Sequence, residues 1–194
     1  MVISSNLGYP RIGPNRELKW SLESFWKKEI NETKLLEDIS RIKKDNWIIQ
    51  KKSGIQHVPS NDFSLYDHVL DTCLVVNAIP DRYKRLKNKK NFLNLYFAMA
   101  RGFQSGSIDI KAMEMTKWFD TNYHYIVPEF KNNQKFKLAS TKIIDEFLEA
   151  KSFGILTRPV ILGPLSFLYL GKSISNKFNK FNLLSKIIPI YKEI

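Results

Sequence analysis

Ile155-Leu-Thr-Arg-Pro-Val-Ile-Leu-Gly-Pro164 is a nearly continuous apolar run, rich in β-branched residues and closed by a glycine–proline pair. Such a run reads as a strand buried on both faces, the habit of strands in a parallel sheet. Three other short segments have strand character: Asn6–Pro10, Ile55–Pro59 and Tyr123–Val127. Helical patterns separate them, over Arg16 to about Ile30, from Asn31 to a stop at Gly54, and over Tyr66–Asn77, Asn91–Ala100 and Leu138–Ala150. A last helical pattern follows Asn182 in spite of Pro189. Strands alternating with helices predict an α/β chain of βα units, which close either as a barrel or as an open doubly wound sheet. Four such units fall short of the eight units and about 250 residues of a (β/α)8 TIM-type barrel. No strand follows the final helix, so the chain reads as incomplete.

Composition narrows the class. At 43% hydrophobic, 26% charged and 13% aromatic residues, the chain is expected to be a soluble globular protein rather than a disordered one. The N-terminus shows no basic and apolar pattern of a secretory signal. The most apolar stretch, 154–171, is broken by Arg158, Pro159, Gly163 and Pro164, and reads as a strand, turn and helix rather than a membrane span. A single cysteine, Cys73, allows no internal disulfide and suits a reducing cytoplasm. The net charge of +12 raises a nucleic-acid reading. Its densest run, Arg82-Tyr-Lys-Arg-Leu-Lys-Asn-Lys-Lys90, has the composition of a solvated loop, and no RNP motif, zinc finger or helix-turn-helix accompanies it. Attraction to an anionic small molecule accounts for the charge equally well.

The clearest chemical signal lies in Asn6-Leu-Gly-Tyr-Pro-Arg-Ile-Gly-Pro-Asn-Arg-Glu-Leu-Lys-Trp20. Pro10 and Pro14 hold off a helix, Gly8 and Gly13 permit a sharp reversal, and Asn15 is the expected N-cap. Arg16 and Lys19 then fall in the first helical turn, where exposed N–H groups already favour negative charge. Cations at that end create an anion-attracting site; solvated surface cations are the plain alternative. Lys117, flanked by Trp118 and Phe119 just before a strand, is a second cation of a kind that can meet an anion or a flat ring. An exposed lysine beside core aromatics is the plain alternative, and the one the residues alone favour. Asp62, Asp67 and His68 cluster after the second strand, but no spacing typical of metal ligands supports a metal there. Cys73 sits in an apolar run and reads as buried. No Walker sequence, Gly-rich dinucleotide motif or nucleophile–base pair occurs, so no catalytic residue is assigned.

At these residues the chain resembles the cobalamin-independent methionine synthases. The resemblance rests on Leu7-Gly-Tyr-Pro-Arg-Ile-Gly13 with Arg16-Glu-Leu-Lys19, on Asp62-Phe-Ser-Leu-Tyr-Asp-His-Val-Leu70, on Glu114 through Phe130, and on Pro159-Val-Ile-Leu-Gly-Pro164 with Leu170-Gly-Lys172. It implies methyl transfer from 5-methyltetrahydropteroyltri-L-glutamate to L-homocysteine, giving methionine. It implies two facing barrels, of which residues 1–194 would be about the first half of the N-terminal, folate-binding one. The matching positions Arg16, Glu17, Leu18, Lys19 and Lys117 would hold the folate's polyglutamate tail. The family uses zinc and no cobalamin; its zinc ligands, one His, two Cys and one Glu, lie in a C-terminal barrel that has no counterpart here. The chain alone is therefore expected not to catalyse the reaction, and the missing barrel is an expected partner, as continuation or separate chain. Two readings stand beside this one: a truncated, non-catalytic remnant, and a basic nucleic-acid-binding module.

Overall fold

A computed structural model describes residues 2–86, 92–175 and 178–194. In chain order the elements are α1 (Glu17–Trp26), α2 (Glu32–Lys52), β1 (Val58–Ser60), α3 (His68–Val75), α4 (Phe92–Arg101), β2 (Phe103–Ser105), β3 (Ile108–Ile110), β4 (Met115–Lys117), β5 (His124–Ile126), β6 (Glu129–Phe130), α5 (Lys142–Ser152), β7 (Thr157–Pro159), α6 (Pro164–Leu170), β8 (Lys172–Ser173) and α7 (Leu184–Glu193). The α/β class expected from the sequence holds. Among the described residues the strands form four two-stranded sheets: β1–β7 and β6–β8 parallel, β2–β3 and β4–β5 antiparallel. The chain divides into two units, Met1–Leu65 with Lys142–Ile161, and Tyr66–Thr141 with Leu162–Ile194.

In the first unit, β1 and β7 pair from Val58↔Thr157 to Ser60↔Pro159, and Ser5 bridges His57 in the same parallel sense. The expected first strand, 6–10, is replaced by this single bridge. Its backbone is satisfied elsewhere: Tyr9 N–H donates to the Asp62 carboxylate at 2.8 Å, and Pro10 has no N–H to give. The fourth strand is likewise shorter than its apolar run. β1 and β7 pack with α2 and α5 around Trp47, Val58, Ala150 and Ile155, with Ile48 and Ile55 beside them. Asn31 caps α2 as expected, its side chain accepting from Lys34 N–H at 2.9 Å, and Gly54 stands just beyond the end with φ 85°. α1 ends earlier than expected, because Lys28 adopts a left-handed φ of 63°.

α5 presents a different face from the one its apolar residues suggest. Of the apolar residues Ile143, Ile144, Phe147 and Leu148, which recur at helical spacing, Ile144 and Leu148 are 48% and 51% exposed, while Glu146 is buried. Glu146 is held there by charge and hydrogen bonds: Lys142 Nζ at 3.2 Å, Lys43 Nζ at 3.7 Å and Asn61 N–H at 2.8 Å. Lys43 also pairs with Glu149.

In the second unit, α3 packs on α4 and α6 on α7, with Leu70, Tyr96, Met99, Phe167, Leu168 and Ile187 buried. Phe130 and Phe167 meet edge to face at 5.4 Å between ring centres. The third expected strand, 123–127, is present as β5, but as an antiparallel partner of β4 rather than a βα strand. After α4 the chain forms the β2–β3 hairpin, which reverses at Gly106 with φ 57°. α7 continues through Pro189, as the sequence pattern suggested. Asn91, the expected start of α4, lies outside the described residues.

Candidate functional site

The helix start of α1 is built by a reversal at Gly13, whose φ is 81° and whose carbonyl accepts Arg16 N–H at 3.1 Å. Arg16, not Asn15, occupies the N-cap position, with φ 64° and ψ 33° and no side-chain capping bond. Non-glycine residues adopt this left-handed conformation only at a cost, so Arg16 is strained. Asn15 serves the neighbouring carboxylate instead: its N–H and Nδ2 donate to the two Glu17 oxygens at 3.0 and 3.1 Å. A hydrogen bond from the backbone N–H of Glu17 itself, reinforced by those of Asn15, holds its carboxyl below the usual carboxylate range. The chain thus places one of its own carboxylates at this helix end.

The four sequence candidates around this start separate by exposure. The Arg16 side chain is exposed, and Leu18 is 3% exposed, its N–H donating to Ile12 O at 3.1 Å. Lys19 is half-buried, with Nζ 3.6 Å from Glu23 Oε1 and 4.6 Å from the centre of the Trp20 ring. Trp20 in turn donates its indole N–H to Asn15 O at 3.2 Å. Two cations therefore stand at one helix start, while Glu17 braces it and Leu18 anchors it in the core.

Lys117, the remaining candidate, belongs to the second unit. It ends β4, exposed and opposite His124 of β5. Strand alternation turns Trp118 to the other face of the hairpin. There Trp118 meets Tyr125 edge to face at 5.8 Å and His68 at 5.2 Å, while His68 stacks on Tyr123 with Nδ1 3.2 Å from its hydroxyl. The aromatic surroundings expected for Lys117 thus belong to the opposite face. Trp118 and Phe119, together with Leu162, Leu165, Ser166, Tyr169, Leu170 and Phe181, line an apolar pocket of about 380 Å³. The sequence reading missed this pocket, since its walls come from three separated segments.

The acidic cluster also resolves into structural roles. Asp62 accepts Tyr9 N–H in the first unit, and burial pushes its carboxyl up. Asp67, in the second unit, caps α3 by accepting Val69 and Leu70 N–H at 2.8 Å each, and ties in β5 through Ile126 N–H at 3.0 Å. Burial raises its carboxyl to about 7, outweighing those three hydrogen bonds. Cys73 is fully buried in α3, and burial pushes its thiol well up. Among the described residues no group of three or more His, Cys, Asp or Glu side chains could hold a metal ion. With one inaccessible thiol, the residues present do not fit the zinc centre that the resemblance implies.

The basic run has partners of its own. Arg82 forks onto Glu129 at 2.5 and 3.0 Å, and Lys84 pairs with Asp81 at 2.9 Å. Residues 87–90 of the run lie outside the described residues. Among the described residues no helix is long and apolar enough to cross a membrane.

Residues 3–194 match the family described as the N-terminal domain of cobalamin-independent synthase. A 5-methyltetrahydropteroyltriglutamate–homocysteine methyltransferase from Flavobacterium johnsoniae is 54% identical over 98% of this chain and 25% of its own length. The protein of that name from Parvibaculum lavamentivorans is 52% identical over 100% of this chain and 25% of its own. A third, from Dictyostelium discoideum, is 45% identical over 100% of this chain and 28% of its own. The chain thus spans about a quarter of the length of the curated relatives it matches. Neither the remnant nor the nucleic-acid reading draws support from these matches.

Proposed function

The chain belongs to the cobalamin-independent methionine synthase family, and on that premise we propose that it supplies part of the folate-binding N-terminal domain of a methyltransferase. The reaction would move the methyl group of 5-methyltetrahydropteroyltri-L-glutamate to homocysteine, giving methionine. What carries the reading is the match along residues 3–194 to proteins whose printed name specifies a triglutamate substrate. The exposed Arg16 and the neighbouring Lys19 support it, because a triglutamate tail is a multiple anion and meets paired cations by charge-assisted hydrogen bonds. Lys117 would hold a further carboxylate. Glu17 would contribute by bracing the helix start, and Leu18 by anchoring it.

The methyl transfer itself, with the zinc that the resemblance implies, would fall to the part of the enzyme beyond the matched quarter, since the donors here do not fit such a centre. A cytoplasmic location and a partial barrel belong to the same reading. The parallel run of Ser5, His57 with β1, and β7 supports the barrel, because successive parallel strands joined by helices are how such a barrel begins.

Titration calorimetry with γ-linked triglutamate tests the proposal. The chain should bind it, and Arg16→Ala, Lys19→Ala and Lys117→Ala should each weaken binding by about five- to tenfold. Binding that is absent, or indifferent to all three substitutions, would sink the reading. Methionine formation by the purified chain would overturn the assignment of the chemistry to the rest of the enzyme.

A further inference from the structure

We propose that His124 is a second binding residue for the carboxylate met by Lys117, and that it makes this contact pH-dependent. The inference rests on the folate reading above. In the antiparallel β4–β5 pair, Lys117 lies directly opposite His124. Residues so placed project from one face with Cβ atoms about 5 Å apart, and both of these side chains are exposed. A carboxylate reached by one is within reach of the other.

The hydrogen bonding of the imidazole fixes which nitrogen can serve. His124 Nδ1 lies 2.9 Å from the carbonyl oxygen of Asn122, and a carbonyl can only accept. Nδ1 therefore carries the proton, leaving Nε2 as the atom that gains one when the ring becomes cationic. The imidazolium then offers Nε2–H to the anion, a charge-assisted bond beside the Lys117 ammonium. Without an anion, two like charges face each other across the ladder, which is unfavourable; a bridging carboxylate relieves that repulsion.

Among the described residues, the ionisable groups on the elements beside this position have places of their own. Of those on α3, Asp67 is engaged by three backbone N–H groups, Asp71 accepts the Tyr96 hydroxyl at 2.7 Å, and His68 packs on Trp118 and Tyr123 at the opposite face. Glu114, just before β4, pairs with Lys172 at 2.7 Å. Asp120 is exposed in the turn that joins the two strands.

The test is triglutamate binding to the 194-residue chain at pH 8 and at pH 5.5, the span over which imidazoles gain a proton while glutamate carboxylates stay ionised. Affinity should be about fivefold higher at pH 5.5. His124→Gln should lower the pH 5.5 affinity to the pH 8 value, whereas His124→Lys should bind tightly at both. Lys117→Ala should weaken binding throughout. Binding that needs Lys117 but is equal at the two pH values, or that keeps its pH difference in His124→Gln, overturns the role of His124 and leaves the folate reading intact. No binding at either pH overturns both.

Discussion

At the scale of single residues, the α1 start exchanges stability for placement. Arg16 pays for a left-handed backbone that glycine would adopt freely, so Arg16→Gly should raise stability by about 1 kcal/mol in urea denaturation while weakening triglutamate binding. An unchanged or lowered midpoint would show that the conformation is not strained. Gly13 is the converse: with φ 81°, a Cβ there would collide with Glu17 Oε2, so Gly13→Ala should destabilise the fold by about 1–3 kcal/mol. Asp67 makes a prediction about pH. Its carboxyl, raised to about 7 in the folded chain, takes up protons more readily than in the unfolded chain. Its contribution is thus fully present below about pH 4 and lost as pH rises through 7. Asp67→Asn should therefore flatten the decline in stability between pH 4 and 7; an identical slope in mutant and parent would refute this. The cations of the site were legible in the sequence because an Arg and a Lys three apart at a helix start are conspicuous. The cap was not, because Asn15 and Arg16 exchange roles through backbone angles that no residue type specifies.

At the scale of elements, local pattern located segments better than it assigned their faces or partners. α5 was visible as a helix, but its buried row includes Glu146, whose partners Lys43 and Asn61 are remote in sequence. Removing that carboxylate leaves the Asn61 backbone N–H without its acceptor and takes one anionic partner from each of Lys43 and Lys142, which keep Glu149 and the Phe63 carbonyl. Glu146→Ala should accordingly cost about 3–5 kcal/mol, read from chemical denaturation. A loss under 1 kcal/mol would mean that solvent replaces the carboxylate with ease. Between α6 and β8, Gly171 has ordinary φ and ψ of −89° and 176° but no room, since a Cβ would overlap the ring of buried Phe130. Gly171→Ala should cost about 1–3 kcal/mol by overpacking, not by backbone strain. The β4–β5 segment shows why partners were harder to read than strands. Tyr123–Val127 carries β-forming residues whichever neighbour it has, and its antiparallel match to Met115–Lys117 depends on a reversal that contains no Asn-Gly or Asp-Gly signal.

At the scale of the whole molecule, the α/β class was legible from alternation, while the division into two units was not. The first unit is discontinuous: β1 finds its ladder only in β7, and the Trp47–Val58 core is completed by Ala150 and Ile155. A fragment of residues 1–65 should therefore lack a cooperative thermal transition by circular dichroism, even though α2 is long and well capped. A sharp transition in that fragment would show the later segment to be dispensable. The same register has a consequence during synthesis. Val58 meets Thr157 about 100 residues further on, so at 5–20 residues per second the nascent strand stays unpaired for about 5–20 s. Throughout that interval the ribosome displays an open β edge, and the yield of native protein depends on translation speed and on whatever chaperone shelters that edge until its partner emerges.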